Sequence, residues 1–205
     1  MGRTSDAKSK ILSAAQSLFE QRGYSALGVA EICCAAGVPK GSFYYFFESK
    51  EALALAVIDE RWAAERCDWK RVLNSDAEPL QRLRLLFEAT EARQKAGQDG
   101  CGAVVGCLFG NLSLEMSNQA DGVRKRLQEI FDAQVEMVDT VVSEACERGE
   151  VAVADTRDAA RSVVAQLEGQ VLFAKLYNNA AQLTALWPSC LALLGVRDHQ
   201  IPAHT

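Results

Sequence analysis

The sequence predicts an all-α fold of about nine helices, and three observations support this class. Apolar residues recur at intervals of three and four positions along most of the 205 residues, which is the spacing of a buried helix face. No segment of useful length alternates apolar and polar residues, as a half-buried strand would. Only four residues are proline, so few positions interrupt a helix.

The first fifty residues predict a helix-turn-helix motif. Apolar positions give helices over residues 5–22, 28–35 and 39–46, and Gly23 ends the first of them. A tight turn at Gly37 joins the last two helices. This arrangement is typical of proteins that place the second helix of the pair in the major groove of DNA.

The remaining chain predicts six further helices. Ser49 is a suitable N-cap for the first of these, and residues 74–79 form the clearest break before the second, which starts near Leu80. We expect Gly97 to Gly100 to end that second helix, and Pro188 to kink the last helix or to mark its start. The later predicted ranges are about 101–117, 121–148, 156–178 and 181–194.

Charge is distributed unevenly along the chain. The net charge is −5, but residues 1–50 carry six Lys or Arg against four Asp or Glu, which gives +2, and the rest carries −7. A basic head on an acidic body is typical of a small DNA-binding domain joined to a regulatory domain. The chain has no apolar stretch near the ~20 residues of a membrane span and no basic-then-apolar leader. We therefore expect a cytoplasmic protein without membrane contact.

The seven cysteines are scattered without CxxC spacing, and the two histidines, His199 and His204, lie near the C-terminal end. This pattern predicts neither a metal site nor a cofactor. We expect reduced thiols, most of them packed as small apolar side chains. Cys33 and Cys34 are assigned in this way to packing in the N-terminal head.

Many ordered positions across about residues 5–55 resemble the DNA-binding domain of the tetracycline-repressor (TetR) family. They include Ile11, Ala15, Phe19, Gly23, Tyr24, Ala36, Gly37, Val38, Gly41, Ser42, Phe43, Tyr44, Tyr45, Ser49, Lys50 and Leu53. The resemblance implies a homodimeric, all-helical bacterial regulator, usually a repressor, whose partners are double-stranded operator DNA and a small-molecule inducer. It divides the chain into a helix-turn-helix domain (1–48), a regulatory and dimerisation domain (49–197) and a flexible tail (198–205).

The same resemblance assigns DNA contacts. Lys40 can reach a guanine edge or a phosphate, Gly41 lets the backbone approach DNA closely, and Ser42 can donate to base or phosphate. Tyr44 is a candidate phosphate contact, and Tyr45 could lie against a thymine methyl.

Two further positions complete the candidate interface. Lys50, at the start of the next helix, is a candidate phosphate contact. Gly28 stands where the family commonly has a hydroxyl, so only backbone N–H groups remain there to meet phosphate. Phe43 and Phe47 are expected in the core of the head rather than on the DNA.

The stretch from Gly106 to Glu115 resembles the branch of that family that responds to oxidants and to electrophiles such as N-ethylmaleimide. In that branch the residue matching Cys107 is the sensor thiol, and a lysine matching Lys175 lies close to it. A nearby ammonium favours the thiolate, which is the reactive form. The alternative is that Cys107 is ordinary core packing, and the sequence leaves both interpretations open.

A non-covalent inducer is the other candidate trigger. Apolar and polar side chains of the body could line a pocket for it: Trp62, Phe87, Phe109, Asn111, Glu115, Gln170, Phe173 and Tyr177. A protein that is not an enzyme is expected, because no histidine outside the tail can act as a base. A small thiol-dependent helical enzyme, or a helical adaptor that does not bind DNA, are the alternatives.

Overall fold

The computed structural model describes residues 2–196, with side chains from Asp6 onward, so the predicted tail (198–205) lies outside the described residues. Within this range the protein is all-α, as predicted, with nine α-helices and one short 3₁₀ helix. The helices are α1 (Gly2–Arg22), α2 (Val29–Ala35), α3 (Lys40–Phe46), α4 (Lys50–Leu73), α5 (Pro79–Cys101), α6 (Leu108–Met116), α7 (Asp121–Glu147), α8 (Thr156–Leu176) and α9 (Leu186–Leu193), with the 3₁₀ helix at Ala180–Ala185.

Contacts between Cα atoms divide the chain into two compact units. The first contains the chain up to Glu65 together with Cys107–Ile130, and the second contains Arg66–Gly106 and the chain from Phe131 onward. The division falls inside α4 and α7, both of which are continuous helices. The predicted domain boundary between residues 48 and 49 stays a prediction.

In the first unit, α1, α2 and α3 form a three-helix head around a common core. Phe19 of α1, Ile32 of α2 and Phe43 of α3 are almost completely buried. Phe47, directly after α3, is 5% exposed, so the expected core role of Phe43 and Phe47 is confirmed. Gly23 ends α1 with φ +80°, a left-handed conformation that glycine adopts without steric cost.

Capping fixes the start of α4. The Oγ of Ser49 accepts a hydrogen bond from the backbone N–H of Ala52 (3.0 Å), which confirms the predicted cap and satisfies an amide that the helix leaves open. Further along α4, Asp59 forms an ion pair with Arg126 of α7 (2.6 Å). The ring of Trp62 packs edge-on against Phe109 of α6, with centroids 6.1 Å apart.

Two predicted boundaries in the body are wrong. Helix α5 continues through Gly97 and Gly100 to Cys101, and the predicted 101–117 helix is instead an extended segment followed by α6. A glycine inside a helix costs only about 1 kcal/mol. Tertiary bonds outweigh that cost here, because the Oε1 of Gln98 accepts from the N–H of Ala180 (3.0 Å).

The last helix starts close to Pro188, as the sequence predicts. Helix α8 is capped by Asp155, whose side chain accepts from the N–H of Asp158 (2.9 Å). The 3₁₀ helix follows, and α9 begins at Leu186, two residues before Pro188. The proline therefore lies in the first turn of α9, where it removes no helical hydrogen bond.

Candidate DNA interface and sensor cysteine

Helix α3 exposes the side chains that the sequence assigns to DNA. Tyr44 is 56% and Tyr45 74% exposed, and Lys40 at the start of the helix is exposed as well. Gly41 is exposed, and a Cβ built there would meet no atom within 4 Å. Ser42 is half-buried on the same helix. The buried Phe43 anchors α3 in the core of the head. Its ring contacts the ring of the exposed Tyr44 edge-on, with the two centroids 5.2 Å apart.

Gly28 lies at the N-cap of α2 with extended backbone (φ −98°, ψ 156°). Its carbonyl accepts from the N–H groups of Glu31 (3.1 Å) and Ile32 (3.2 Å). It is exposed, and no side chain caps the helix at this end. The placement agrees with the sequence expectation that only backbone groups are available here, while the DNA contact itself stays a prediction.

Lys50, a candidate phosphate contact, is bonded within the head, and its contact with DNA stays a prediction. Its ammonium donates to the carbonyls of Tyr24 (3.1 Å) and Leu27 (2.9 Å) and lies 3.9 Å from the centroid of the Tyr24 ring. Burial lowers the pKa of Lys50, and the charge of Glu115 acts in the opposite direction. The side chain therefore stabilises the turn after α1, which the position of a lysine at a helix start could not reveal.

Glu115, a candidate for the ligand pocket, binds backbone groups of the head, and its place in a pocket stays a prediction. Its Oε1 accepts from the N–H of Tyr24 (3.1 Å) and its Oε2 from the N–H of Ser25 (2.8 Å). The carboxylate thus joins the last part of α6 to the turn that follows α1.

Cys107 is the N-cap of α6 and is 7% exposed. Its Sγ accepts from the backbone N–H of Gly110 (3.5 Å), at the helix end where amide groups favour negative charge. A thiolate sulfur at this position would accept the hydrogen bond from Gly110 more strongly than a neutral thiol sulfur does. Lys175 is half-buried on α8 and belongs to the second unit, whereas Cys107 belongs to the first.

Two segments of the chain match known sequence families. Residues 11–57 match the bacterial regulatory proteins of the tetR family, and residues 79–189 match the tetracyclin repressor-like C-terminal domain. The chain belongs to the TetR family. Members of the TetR family bind operator DNA and act as dimers.

Individual TetR-family proteins are similar over most of their length. The HTH-type transcriptional repressor DhaR of Mycobacterium sp. (strain GP1) is 35% identical over 176 residues, 81% of each chain. The HTH-type transcriptional repressor NemR of Escherichia coli (strain K12) is 31% identical over 144 residues, 70% of this chain and 69% of NemR. The crystal structure of the regulatory protein TetR from Rhodobacter sphaeroides is 30% identical with a TM-score of 0.81, covering 90% of this chain and 96% of that one.

TetR membership decides between the function classes that the sequence left open. The family consists of transcription regulators rather than enzymes, so the thiol-dependent enzyme and the adaptor that does not bind DNA are both set aside. No group of metal-ligating side chains occurs among the described residues. None of the helices in the described part of the chain is long and apolar enough to cross a membrane.

The pocket candidates of this TetR-family chain are divided between the two units. Trp62, Phe109, Asn111 and Glu115 belong to the first unit, and Phe87, Gln170, Phe173 and Tyr177 belong to the second. Phe87 is buried and packs near Trp187 at 6.5 Å. Phe173 and Tyr177 stack on each other at 6.3 Å and are at least half exposed. A common pocket lined by all eight side chains stays a prediction.

Sequence reasoning missed two amide side chains that hold the segment before Cys107. Gln94 is fully buried and bonds both backbone groups of Gly106. The Oδ1 of Asn178 accepts from the N–H of Val104 (2.8 Å), and its Nδ2 donates to the carbonyl of Gly102 (3.0 Å). Asn178 has φ +47°, and asparagine is one of the few residues that tolerate this region. A single sequence gives no signal for either pairing, although an asparagine after a long helix is compatible with such a turn.

Cys33 and Cys34, both expected in the packing of the head, differ from each other. Cys33 is 2% exposed, and burial raises the pKa of its thiol while the charge of Lys40 acts in the opposite direction. Cys34 is exposed, so its predicted packing role is wrong. Adjacent residues on a helix point in directions about 100° apart, and a seven-residue helix has only one buried face.

Proposed function

We propose that this TetR-family protein is a transcriptional repressor that binds a palindromic operator as a homodimer and releases it when Cys107 is modified. The observation that carries the DNA-binding part is the exposed surface of α3, formed by Lys40, Tyr44 and Tyr45 on a helix fixed by the buried Phe43. Large aromatic side chains left exposed next to a lysine suit contact with phosphates and base methyl groups.

Gly41 supports this assignment. A Cβ at this position would meet nothing within 4 Å, so the protein itself does not need the glycine for packing. A close approach of the DNA backbone to the start of α3 would explain why this position is a glycine. Ser42, one residue further, offers a hydroxyl at the same end of the helix.

The homodimer is expected to form through α8. Exposed small and apolar side chains recur along this helix at spacings that place them on one face: Ser162, Ala165, Leu172, Phe173 and Leu176. Leu176 is 70% and Leu172 51% exposed. Large apolar side chains exposed close together are rarely left in water, and we expect a second copy of the chain to cover them, because TetR-family proteins act as dimers.

The trigger proposed is covalent modification of Cys107. In the reaction with N-ethylmaleimide, the thiolate sulfur adds to the carbon–carbon double bond of the ring, and the resulting carbanion takes a proton from water. The modified side chain is larger than the space that the Cys107 side chain, only 7% exposed, occupies. The start of α6 must therefore rearrange to hold it. The resemblance to the electrophile-responsive branch, together with the Gly110 hydrogen bond, supports this choice over simple packing.

The same resemblance pairs Cys107 with Lys175, and that pairing stays a prediction. A non-covalent inducer is the alternative trigger, and the partly buried Asn111 and Gln170 are its polar candidates. The two triggers differ in a measurable way, because only the covalent one depends on the Cys107 sulfur.

The test uses the Cys107→Ser and Cys101→Ser variants, with a palindromic duplex that the parent protein selects from a random DNA pool. Cys101 is exposed and lies in the second unit, so it is the matched thiol control. Burial raises the pKa of the Cys190 thiol to about 12, which disfavours the thiolate, the form that reacts with the reagent. N-ethylmaleimide is expected to release DNA from the parent and from Cys101→Ser, while Cys107→Ser stays bound. Equal release of all three proteins would contradict the Cys107 trigger.

A further inference from the structure

The turn between α1 and α2 is held from one side by a carboxylate on α6. Glu115 accepts one hydrogen bond from the N–H of Tyr24 and another from the N–H of Ser25. Both acceptor atoms belong to the same ionised group, and hydrogen bonds to a charged partner are stronger than neutral ones. The two amides are separated from Glu115 by about ninety residues of sequence, so this is a tertiary link and not a local cap.

The same turn is held from the other side by an ammonium on α4. Lys50 donates to the carbonyls of Tyr24 and Leu27 and lies over the Tyr24 ring. The negative group therefore takes the N–H donors of the turn and the positive group takes its C=O acceptors. A carboxylate can only accept hydrogen bonds and an ammonium can only donate them, so the two side chains satisfy different backbone groups of the turn.

The absence of a side chain at Gly23 leaves room for the Glu115 carboxylate. A Cβ at Gly23 would lie 2.6 Å from Glu115 Oε1, closer than atoms approach without a shift. The glycine also has φ +80°, which strains any other residue, and a side chain there would displace the carboxylate from its bonds to the turn. The turn and the carboxylate thus form one closely packed arrangement.

The carboxylate adds to weaker local contacts of the turn, such as the bond from the N–H of Leu27 to the carbonyl of Tyr24 (3.3 Å). The next helix, α2, has Gly28 as its N-cap, which offers no side chain to cap the helix. Helix α3, with the candidate DNA contacts, follows α2 after the Gly37 turn. The orientation of both helices relative to α6 therefore depends on how the 23–27 turn is held.

We infer that Glu115 is a positioning residue for operator binding: its carboxylate fixes the α1–α2 turn and thereby the orientation in which α3 meets DNA. It touches no DNA itself, and Lys50 completes the clamp from the opposite side. Since α6 begins at the N-cap Cys107, the helix that carries the candidate sensor ends in the group that holds the head. The inference rests on the proposed operator contact through α3.

The test compares Glu115→Ala and Glu115→Gln with Glu60→Gln. Glu60 is an exposed carboxylate of the same unit, so its variant is a control for the loss of one negative charge. Three quantities are measured for each full-length protein: the dissociation constant for the selected palindromic duplex, amide hydrogen exchange of residues 23–28 without DNA, and the thermal unfolding midpoint.

Glu115→Ala removes both hydrogen bonds to the turn, so it is expected to weaken duplex binding at least about tenfold and to speed exchange at Tyr24 and Ser25. Glu115→Gln keeps one acceptor oxygen, so it is expected to restore part of the affinity, to within about threefold of the parent. Glu60→Gln should bind within twofold of the parent. Because the Gln variant preserves the shape of the side chain, it reports on positioning even where the Ala variant unfolds.

Two results would overturn the inference. One is duplex affinity for Glu115→Ala within twofold of the parent, and the other is unchanged exchange at Tyr24 and Ser25. Failure of the proposed function looks different, because the parent itself would then select no duplex, while the exchange measurement without DNA would still report on the clamp.

Discussion

The side-chain amide of Gln94 forms two hydrogen bonds with the backbone of Gly106. The Nε2 donates to the Gly106 carbonyl (3.0 Å) and the Oε1 accepts from the Gly106 N–H (3.1 Å). Gln94 is 0% exposed, so water does not compete for these bonds. The backbone directly before Cys107 is therefore fixed by a single residue of α5.

Replacing Gln94 by leucine should destabilise the protein. The substitution keeps the side-chain volume roughly constant but leaves a buried N–H and a buried C=O without partners, which costs about 1–3 kcal/mol for such a group. Urea denaturation of Gln94→Leu and of the exposed neighbour Lys95→Leu measures this cost. We expect the control to stay within about 0.5 kcal/mol of the parent; equal free energies of unfolding for all three would show that the amide bonds contribute nothing.

The pair of Arg82 and Glu144 predicts a pH dependence of stability. The hydrogen bond from Arg82, aided by the charge of Arg148, holds the pKa of Glu144 below its usual range. Arg82 is almost buried and also donates to the carbonyl of Leu73 (2.9 Å). A carboxyl with a lowered folded-state pKa contributes stability above its unfolded pKa, and this contribution is lost as the pH falls through the folded value.

Glu144→Gln should therefore lower the thermal unfolding midpoint at pH 7, and its difference from the parent should shrink below about pH 4. Glu147→Gln, on an exposed position of the same helix, is the control and should unfold like the parent throughout. A Glu144→Gln deficit that stays constant from pH 7 to pH 3 would rule out the ion pair as its cause.

The exposed stripe of α8 predicts how the dimer can be broken. A Leu172→Asp and Leu176→Asp double variant places two charges among side chains that are about 51% and 70% exposed in the single chain, so the folded monomer tolerates them. Burying them against a second copy would be costly. Light scattering after gel filtration should give a monomer for this variant and a dimer for Ala92→Asp, an exposed position on α5. A dimeric double variant would place the interface elsewhere.

The sequence predicted the helices, and the division of α3 into a buried and an exposed side, because both follow from local rules. Helical periodicity followed by a glycine predicted the end of α1 and both ends of α7 to within one residue, and the alternation of Phe43 with Tyr44 and Tyr45 separated core from surface. The helix ends near Gly97 and Cys101 were wrong because glycine is a weak helix breaker. Bonds from Gln98 to a distant segment decided that boundary, and no local rule contains them.

The roles of charged residues were harder to predict than their positions. Lysine and glutamate side chains typically contact solvent or a ligand. Lys50 and Glu115 instead both bind backbone groups of the turn between α1 and α2. Such a clamp depends on which backbone atoms the fold brings near a side chain, and sequence spacing does not encode it. Contacts between residues that are far apart in the sequence could therefore be identified only from the structure.

Operator affinity of Lys40→Ala and Tyr45→Ala tests most directly whether α3 reads DNA. Each variant should lose about 1–3 kcal/mol of binding free energy for the selected palindromic duplex, with the dimer intact. Lys95→Ala, which removes the same charge from an exposed position of α5, should bind like the parent. If Lys40 contacts phosphate, the slope of log K against log salt should also become shallower by about 0.9 per subunit. Unchanged affinity for both α3 variants would contradict the proposed interface.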